Sequence, residues 1–270
     1  MIDLTEIHQK KDRPRRIVLY GTGGIGKSTF AACAPKTVFI DVEDGLQDID
    51  TPAVPLITNY GEAVEAIDSL LQKDHGFQTV ALDTLDALEP LIWAKVCQDD
   101  GKTSIEKVLG GYHKGYTLAL DYWRELLGGF SALREKGMTV ILLAHAGLEK
   151  VTNPSGENYD RYAPRLEKKA SALVTEWADE VLFATYQVYT TKDESDKKAK
   201  AKGIGNGERL IRTVERPAWV AKNRLDLPEE LPLVWGEFAK YIPGTANPTA
   251  AKTSETKPKA KAKAKTEVSA

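Results

Sequence analysis

The apolar residues of this chain fall into two alternating patterns. Short dense runs, Arg16–Tyr20 (RIVLY), Thr37–Val42 (TVFIDV), Phe77–Leu82 (FQTVAL) and Met138–Ala144 (MTVILLA), have the length and flanking turn signals of buried strands. Between them apolar residues recur every three or four positions: Ala63, Ala66, Ile67, Leu70 and Leu71 mark a helix over Ala63–Gln72. Lys27–Cys33, Leu85–Val96, Tyr116–Lys136 and Leu166–Trp177 are also predicted helices, the third with an irregular centre at Gly128–Gly129. Strand and helix in alternation imply parallel strands joined by crossovers, hence an α/β fold with a mainly parallel central sheet and helices on both faces. Met138–Ala144 is the most apolar run and is predicted to be a central strand that ends at His145.

The second half is more broken. Asp99–Gly115 is polar and reads as a surface excursion, and Gly147–Arg165 reads as a polar, partly basic loop. Glu180–Tyr189, Arg209–Glu215 and Ala218–Lys222 are predicted C-terminal strands, antiparallel to their neighbours. A charged, glycine-rich excursion over 190–208 separates the first two.

At 270 residues the chain fits one large domain, expected over 16–243, with an N-terminal extension (1–15) and a Lys/Ala-rich tail (244–270). The formal charge is -2, but the tail carries six lysines and two glutamates, so it is +4 and the remainder -6. With no apolar periodicity the tail is expected to be disordered. No apolar run reaches the roughly 18 residues of a membrane span, and the charged N-terminus has no apolar segment behind it, so no membrane association is expected. Cys33 and Cys97 are too few for a disulfide framework and are read as reduced core thiols of a cytoplasmic protein. His8, His75, His113 and His145 form no zinc-binding spacing.

One motif carries specific chemistry. Gly21, Thr22, Gly23, Gly24, Ile25, Gly26, Lys27 and Ser28, followed by Thr29, satisfy the GxxxxGKS/T pattern between a strand and a helix. Glycines there let backbone N–H groups curl around a phosphate chain. Lys27 is expected to reach the β- and γ-phosphates, and Ser28 to ligate Mg2+ together with Asp83, which ends an apolar strand. Asp86 and Glu89, inside the following helix, are expected to point elsewhere. Hydrolysis needs a group to activate water, and Asp41, Glu43 and Asp44 follow the second strand, whose end is expected to border the phosphate loop. Pattern alone leaves the three nearly tied; Glu43 is favoured for its reach and its place just past the strand. His145 reads either as a hydrogen-bond partner of the γ-phosphate or as a histidine capped by core contacts. No NKxD-like guanine-reading motif appears, so ATP is the expected nucleotide.

With these residues in place, the chain resembles the RecA-type ATPases, and more closely the phage-encoded RecA-like ATPases grouped with single-strand annealing proteins. VFIDVEDGLQDI is similar to the segment carrying their catalytic glutamate, which falls on Glu43; TVALDTLDAL is similar to the strand of the Mg2+ aspartate, which falls on Asp83. VILLAHA is similar to the strand whose last polar residue senses the γ-phosphate, here His145. AKNR resembles an end-of-strand motif whose cations reach the neighbouring subunit's triphosphate, which implies trans-acting roles for Lys222 and Arg224. Read from the residues alone, it is a basic turn, and Leu225–Asp226 stands where the motif usually continues with glycine.

The resemblance spans about Arg16–Tyr241. It implies a RecA-like P-loop NTPase fold and a Mg2+-dependent ATPase that forms a homo-oligomer with nucleotide at subunit interfaces. The implied substrate is single-stranded DNA, in phage recombination or replication inside a bacterial host, with a single-strand-binding or replication protein as a further partner. The segment after His145 matches a DNA-binding loop in position and offers Lys150, Arg161, Arg165, Lys168 and Lys169, with Tyr159 and Tyr162 for stacking; a solvated basic loop has the same composition. A different class of function, a nucleotide-dependent accessory or loader module directed at another protein, shares the same phosphate loop.

Overall fold

Side chains alternate faces along a strand, and in the apolar runs both sets are apolar, so each strand needs a layer on either side. The computed structural model, which describes residues 13–154, 156–191 and 202–243, supplies both layers. Its strands are β1 (Arg16–Gly21), β2 (Thr37–Asp41), β3 (Thr79–Asp83), β4 (Thr139–Val151), β5 (Tyr159–Pro164), β6 (Glu180–Thr191), β7 (Lys202–Arg212) and β8 (Glu230–Pro232). The helices are α1 (Lys27–Ala32), α2 (Tyr60–Gln72), α3 (Leu85–Asp99), α4 (Lys114–Glu135), α5 (Lys168–Trp177) and α6 (Trp235–Ala239). Val18, Tyr20, Val80, Leu82, Val140 and Leu142 face the layer formed by α2, α3, α4 and α5. Their neighbours Ile17, Leu19, Ala81, Ile141 and Leu143 face α1 and α6, where Phe30 meets Trp235 and Phe238 edge to face.

The sheet order is β2-β3-β4-β1-β6-β7-β8, with β5 paired to the far half of β4. Strands β2, β3, β4, β1 and β6 are mutually parallel, while β7 and β8 are antiparallel additions. The expected parallel α/β sheet with C-terminal antiparallel strands is therefore present.

Several local expectations differ. β4 does not end at His145 but runs on to Val151 and pairs with β5, so the expected polar loop is a hairpin. Asp99–Gly115 is not merely superficial: Ile105 and Val108 are buried beneath α4. α4 is continuous through Gly128–Gly129; Gly129 is needed for close packing, since a Cβ there would lie 2.8 Å from Ile67 Cγ2 on α2. β6 is parallel to β1 and antiparallel only to β7. Ala218–Lys222 is not a strand, because its bridges are single ones that stitch Trp219 to Tyr162 of β5 and Lys222 to Val181 of β6. β6 and β7 extend into the expected excursion, of which 192–201 lies outside the described residues, as do 1–12 of the N-terminal extension and the whole tail. Cys33 is exposed and Cys97 half-buried, so neither is a core thiol.

Charges gather at the N-terminal edge of the sheet. Asp179 is bound by Arg16 and Arg224 and lies near Arg134. Its neighbour Glu180 is fully buried with neither oxygen hydrogen-bonded, and Arg15 is 3.8 Å away. Burial pushes the Glu180 carboxyl up to about 7, and burial does the same to Glu89 on α3. A carboxyl raised in the folded state favours folding fully below its ordinary value near 4.5, and that contribution is lost as pH rises through about 7. Glu180→Gln is expected to flatten the fall in stability between about pH 4.5 and 7, read from urea unfolding across that range; an unchanged slope would mean that Arg15 already keeps Glu180 ionised.

Candidate nucleotide site

The loop after β1 leaves the sheet where three strands are in register. Gly21 pairs with His145 of β4 on one side and Ala184 of β6 on the other. The approach to β6 is so close that a Cβ on Gly21 would lie 2.4 Å from the Ala184 carbonyl oxygen. Gly24 (φ 70°) and Gly26 (φ 104°) take the left-handed conformations that fold the loop back on itself, and buried Ile25 anchors it from below. Lys27, at the start of α1, is buried; its Nζ donates to the carbonyls of Thr22 (3.2 Å) and Gly21 (3.4 Å). Burial lowers its pKa, opposed by the charges of Asp83 and Glu43.

Next along α1, the Ser28 hydroxyl donates to Asp83 Oδ2 at 2.5 Å. Burial raises the Asp83 carboxyl, and the bond from Ser28 opposes this. A hydroxyl and a carboxylate this close are hard oxygen donors, the set that suits Mg2+ when phosphate and water complete its shell. The pair therefore fits the expected cation, and among the described residues no group of three or more His, Cys, Asp and Glu offers another site. Gly24, Gly26, Lys27, Ser28, Thr29 and Asp83 line a cleft of about 320 Å³, which Glu43 and His145 also enter. Thr22 and Gly23 complete the loop, and a Cβ on Gly23 would lie 3.9 Å from His145 Nε2.

The three acids after β2 have separate positions. β2 does not border the phosphate loop as expected, since β3 and β4 intervene and β2 is the edge strand. Its end still reaches the cleft because Val42 N–H donates to the Asp83 carbonyl, drawing the turn across β3. Asp41 is occupied within the turn, accepting from the N–H groups of Glu43 and Asp44. Asp44 is exposed. Glu43 alone of the three lines the cleft: Oε2 accepts from the Thr84 hydroxyl at 2.9 Å, and Oε1 lies 3.8 Å from His145 Nε2.

Asp86 does not point elsewhere. It sits in the first turn of α3, three residues past Asp83, and its carboxylate accepts from the His145 backbone N–H (2.7 Å) and Arg165 Nη2 (2.5 Å). Its Oδ2 also lies 2.9 Å from His145 Nδ1. Burial alone would raise its pKa, but these donors hold it below the usual carboxylate range. The arrangement aims His145 Nε2 at Glu43 and the cleft while fixing the ring from behind. Arg165, at the foot of the β4–β5 hairpin, donates its own N–H to the His145 carbonyl. The expectation holds for Glu89, which turns away and accepts from the Glu167 N–H at the start of α5.

Lys222 and Arg224 lie at the N-terminal ends of the strands, opposite the end that carries the loop. Lys222 Nζ donates to the carbonyls of Thr175, Glu176 and Ala178, closing the C-terminus of α5, and Arg224 pairs with Asp179. Neither approaches the cleft of its own chain. On the hairpin, Arg161 pairs with Glu149 and Glu215, Lys168 with Glu149, and Lys169 Nζ donates to Thr117. Tyr162 stacks on Phe183 yet remains exposed, as do Tyr159 and Leu148.

A phosphate loop after β1, an acid ending β3 and a polar residue on the intervening β4 define a P-loop ATPase. A family model described as an AAA domain matches residues 13–225, and the chain belongs to that family. No curated protein matches the chain. Among solved structures it is similar to the one titled "Crystal structure of the RadB recombinase", at 12% identity and a TM-score of 0.43, covering 81% of this chain and 86% of that one.

The two positive-φ glycines of the loop differ in their surroundings. A Cβ on Gly26 would lie 3.0 Å from Arg209 Nη1, whereas one on Gly24 meets nothing within 4 Å. Gly26→Ala is expected to cost about 1–2 kcal/mol of stability and weaken nucleotide binding about tenfold or more, with Gly24→Ala milder on binding. Urea unfolding and nucleotide titration of the two variants measure this.

Proposed function

We propose that this chain hydrolyses Mg2+-bound ATP, with Glu43 as the group that activates water, and that turnover is coupled to single-stranded DNA. The observation that carries the chemistry is the placement of Glu43: it is the one acid of the Asp41–Asp44 turn that enters the cleft, held by Thr84 across from Lys27 and the Ser28–Asp83 pair. The backbone of Gly21–Thr29 cradles the phosphates, and Lys27 neutralises charge that develops on the γ-phosphate. Ser28 and Asp83 would hold the cation, which would supply Lewis-acid stabilisation of phosphate charge. Glu43 orients the attacking water and accepts its proton, and His145, aimed by Asp86, hydrogen-bonds the γ-phosphate.

The chain Glu43–His145–Asp86–Arg165 supports the coupling. Loss of the γ-phosphate changes what His145 Nε2 contacts, and Asp86 shares that change with Arg165 at the foot of the hairpin. The hairpin's Tyr159, Tyr162 and Lys150 are its stacking and charge-bearing groups toward DNA. In this reading residues 16–243 form the ATPase module of a homo-oligomer, and Lys222 and Arg224 leave their intrachain partners to complete the neighbour's site. The setting is phage recombination or replication in the bacterial cytoplasm, beside a single-strand-binding or replication protein.

A second reading, a nucleotide switch directed at a protein, is favoured by the pairing of Arg161, Lys168 and Arg165 with carboxylates of the same chain and by exposed Leu148. Salt separates the two, since DNA affinity built on phosphate contacts falls steeply with salt.

Glu43→Gln is expected to lower kcat about a thousandfold with the Kd for ATP changed by less than about threefold, while Lys27→Ala abolishes tight binding. Asp86→Asn is expected to lower DNA-stimulated turnover about tenfold without loss of ATP binding. Steady-state ATPase assays at several protein concentrations, with and without single-stranded DNA, are the test. Turnover indifferent to both DNA and concentration would leave the protein-directed switch.

A further inference from the structure

One cation at the cleft has no part in the chemistry described so far. Arg209 lies on β7, opposite Tyr186 of β6, two residues beyond the Ala184 that pairs with Gly21. This register carries Arg209 just past the C-terminal end of β1 and over the phosphate loop. Arg209 and Ile211 share a face of β7, and Ile211 is buried in the cluster that contains α1. The guanidinium therefore lies on the side of the sheet where the loop turns into α1, with Nη1 3.0 Å from where a Gly26 Cβ would be. The side chain is exposed, lines the cleft, and forms no ion pair with a carboxylate among the described residues. Its backbone is fixed, since the Leu233 N–H donates to the Arg209 carbonyl at 3.0 Å beyond the β7–β8 pairing.

Sheet order decides which part of a nucleotide this group meets. Asp83 ends β3, Glu43 lies just past the end of β2 and His145 lies on β4 level with Gly21, all on one side of β1. Arg209 stands on the other side, reached through β6 and β7. A triphosphate laid along the loop with its γ-phosphate toward Glu43 points its α-phosphate and nucleoside toward β7. We infer that Arg209 is a nucleotide-binding residue supplied in cis by the C-terminal strands, and that its guanidinium grips the α- and β-phosphates rather than the γ-phosphate. Arginine suits this task because its planar fork bonds two phosphate oxygens at once, a geometry lysine lacks. The consequence is that ATP and ADP are held equally by this contact, so it retains product and does not report hydrolysis.

The inference rests on nucleotide binding at Gly21–Thr29, and the test separates the two. Wild type, Arg209→Ala and Arg209→Lys are titrated with ADP and with slowly hydrolysed ATPγS, and steady-state kinetics are recorded; thermal melts without nucleotide verify folding. The expected result is an about tenfold loss of affinity for both nucleotides in Arg209→Ala, with KM for ATP raised by a similar factor and a much smaller drop in kcat. Arg209→Lys is expected to recover part of the loss. Affinities of Arg209→Ala within about twofold of wild type for both ligands would overturn the inference and leave the nucleotide site standing. Loss for ATPγS alone, with a collapse of kcat, would also overturn it by moving the contact to the γ-phosphate. Wild type that binds neither ligand would overturn the nucleotide site itself and this inference with it.

Discussion

Parallel strands are ordered along a sheet by the crossovers that join them, and the crossover through α4 inserts β4 between β1 and β3. Gly21 and His145 consequently lie side by side, with the end of β3 at Asp83 close by on the far side of β4, although more than a hundred residues separate the first two. Ridges of Val, Ile and Leu on both faces of these strands hold them at one level, and a strand displaced by one residue would exchange its two faces. The cleft therefore inherits its geometry from core packing. Its polar groups occupy the ends of strands that the core has already aligned.

Those polar groups are in electrostatic tension. Burial disfavours the charged forms of both Lys27 and Asp83, and each is stabilised chiefly by opposite charge or hydrogen bonds within the cleft. A polyanion that arrives with a divalent cation complements both at once. The Ser28–Asp83 bond keeps the two oxygen donors in contact in the meantime, and donors from His145 and Arg165 already hold the Asp86 carboxylate in its charged form without a ligand.

Much of this was legible in the sequence. Dense apolar runs announced the parallel strands, and the glycine pattern from Gly21 to Ser28 announced the loop, because both signals are local. The neighbours of that loop were harder to read. Period-two logic put Asp41 and Glu43 on one face, but only the turn's own hydrogen bonds show that Asp41 is used up holding the backbone. Asp86 had a readable signal, an acid in the first helical turn after Asp83, yet nothing in the pattern says that the turn faces His145. Arg209 had none: its place depends on the register of β7 against β6 and on the order of strands, which are long-range outcomes. The hairpin after His145 was hidden because polar and apolar residues mix on both of its faces, so no alternation marks it.

β4 belongs to two sheets in succession, its first half packed in the core and its second half paired with β5. There is no break between His145 and the tip, so the tip's orientation is governed by parity. Inserting one residue after His145 would exchange Leu148, now exposed, with Glu149, which binds Arg161 and Lys168. The length of the hairpin is thus constrained to change in matched pairs across the two strands.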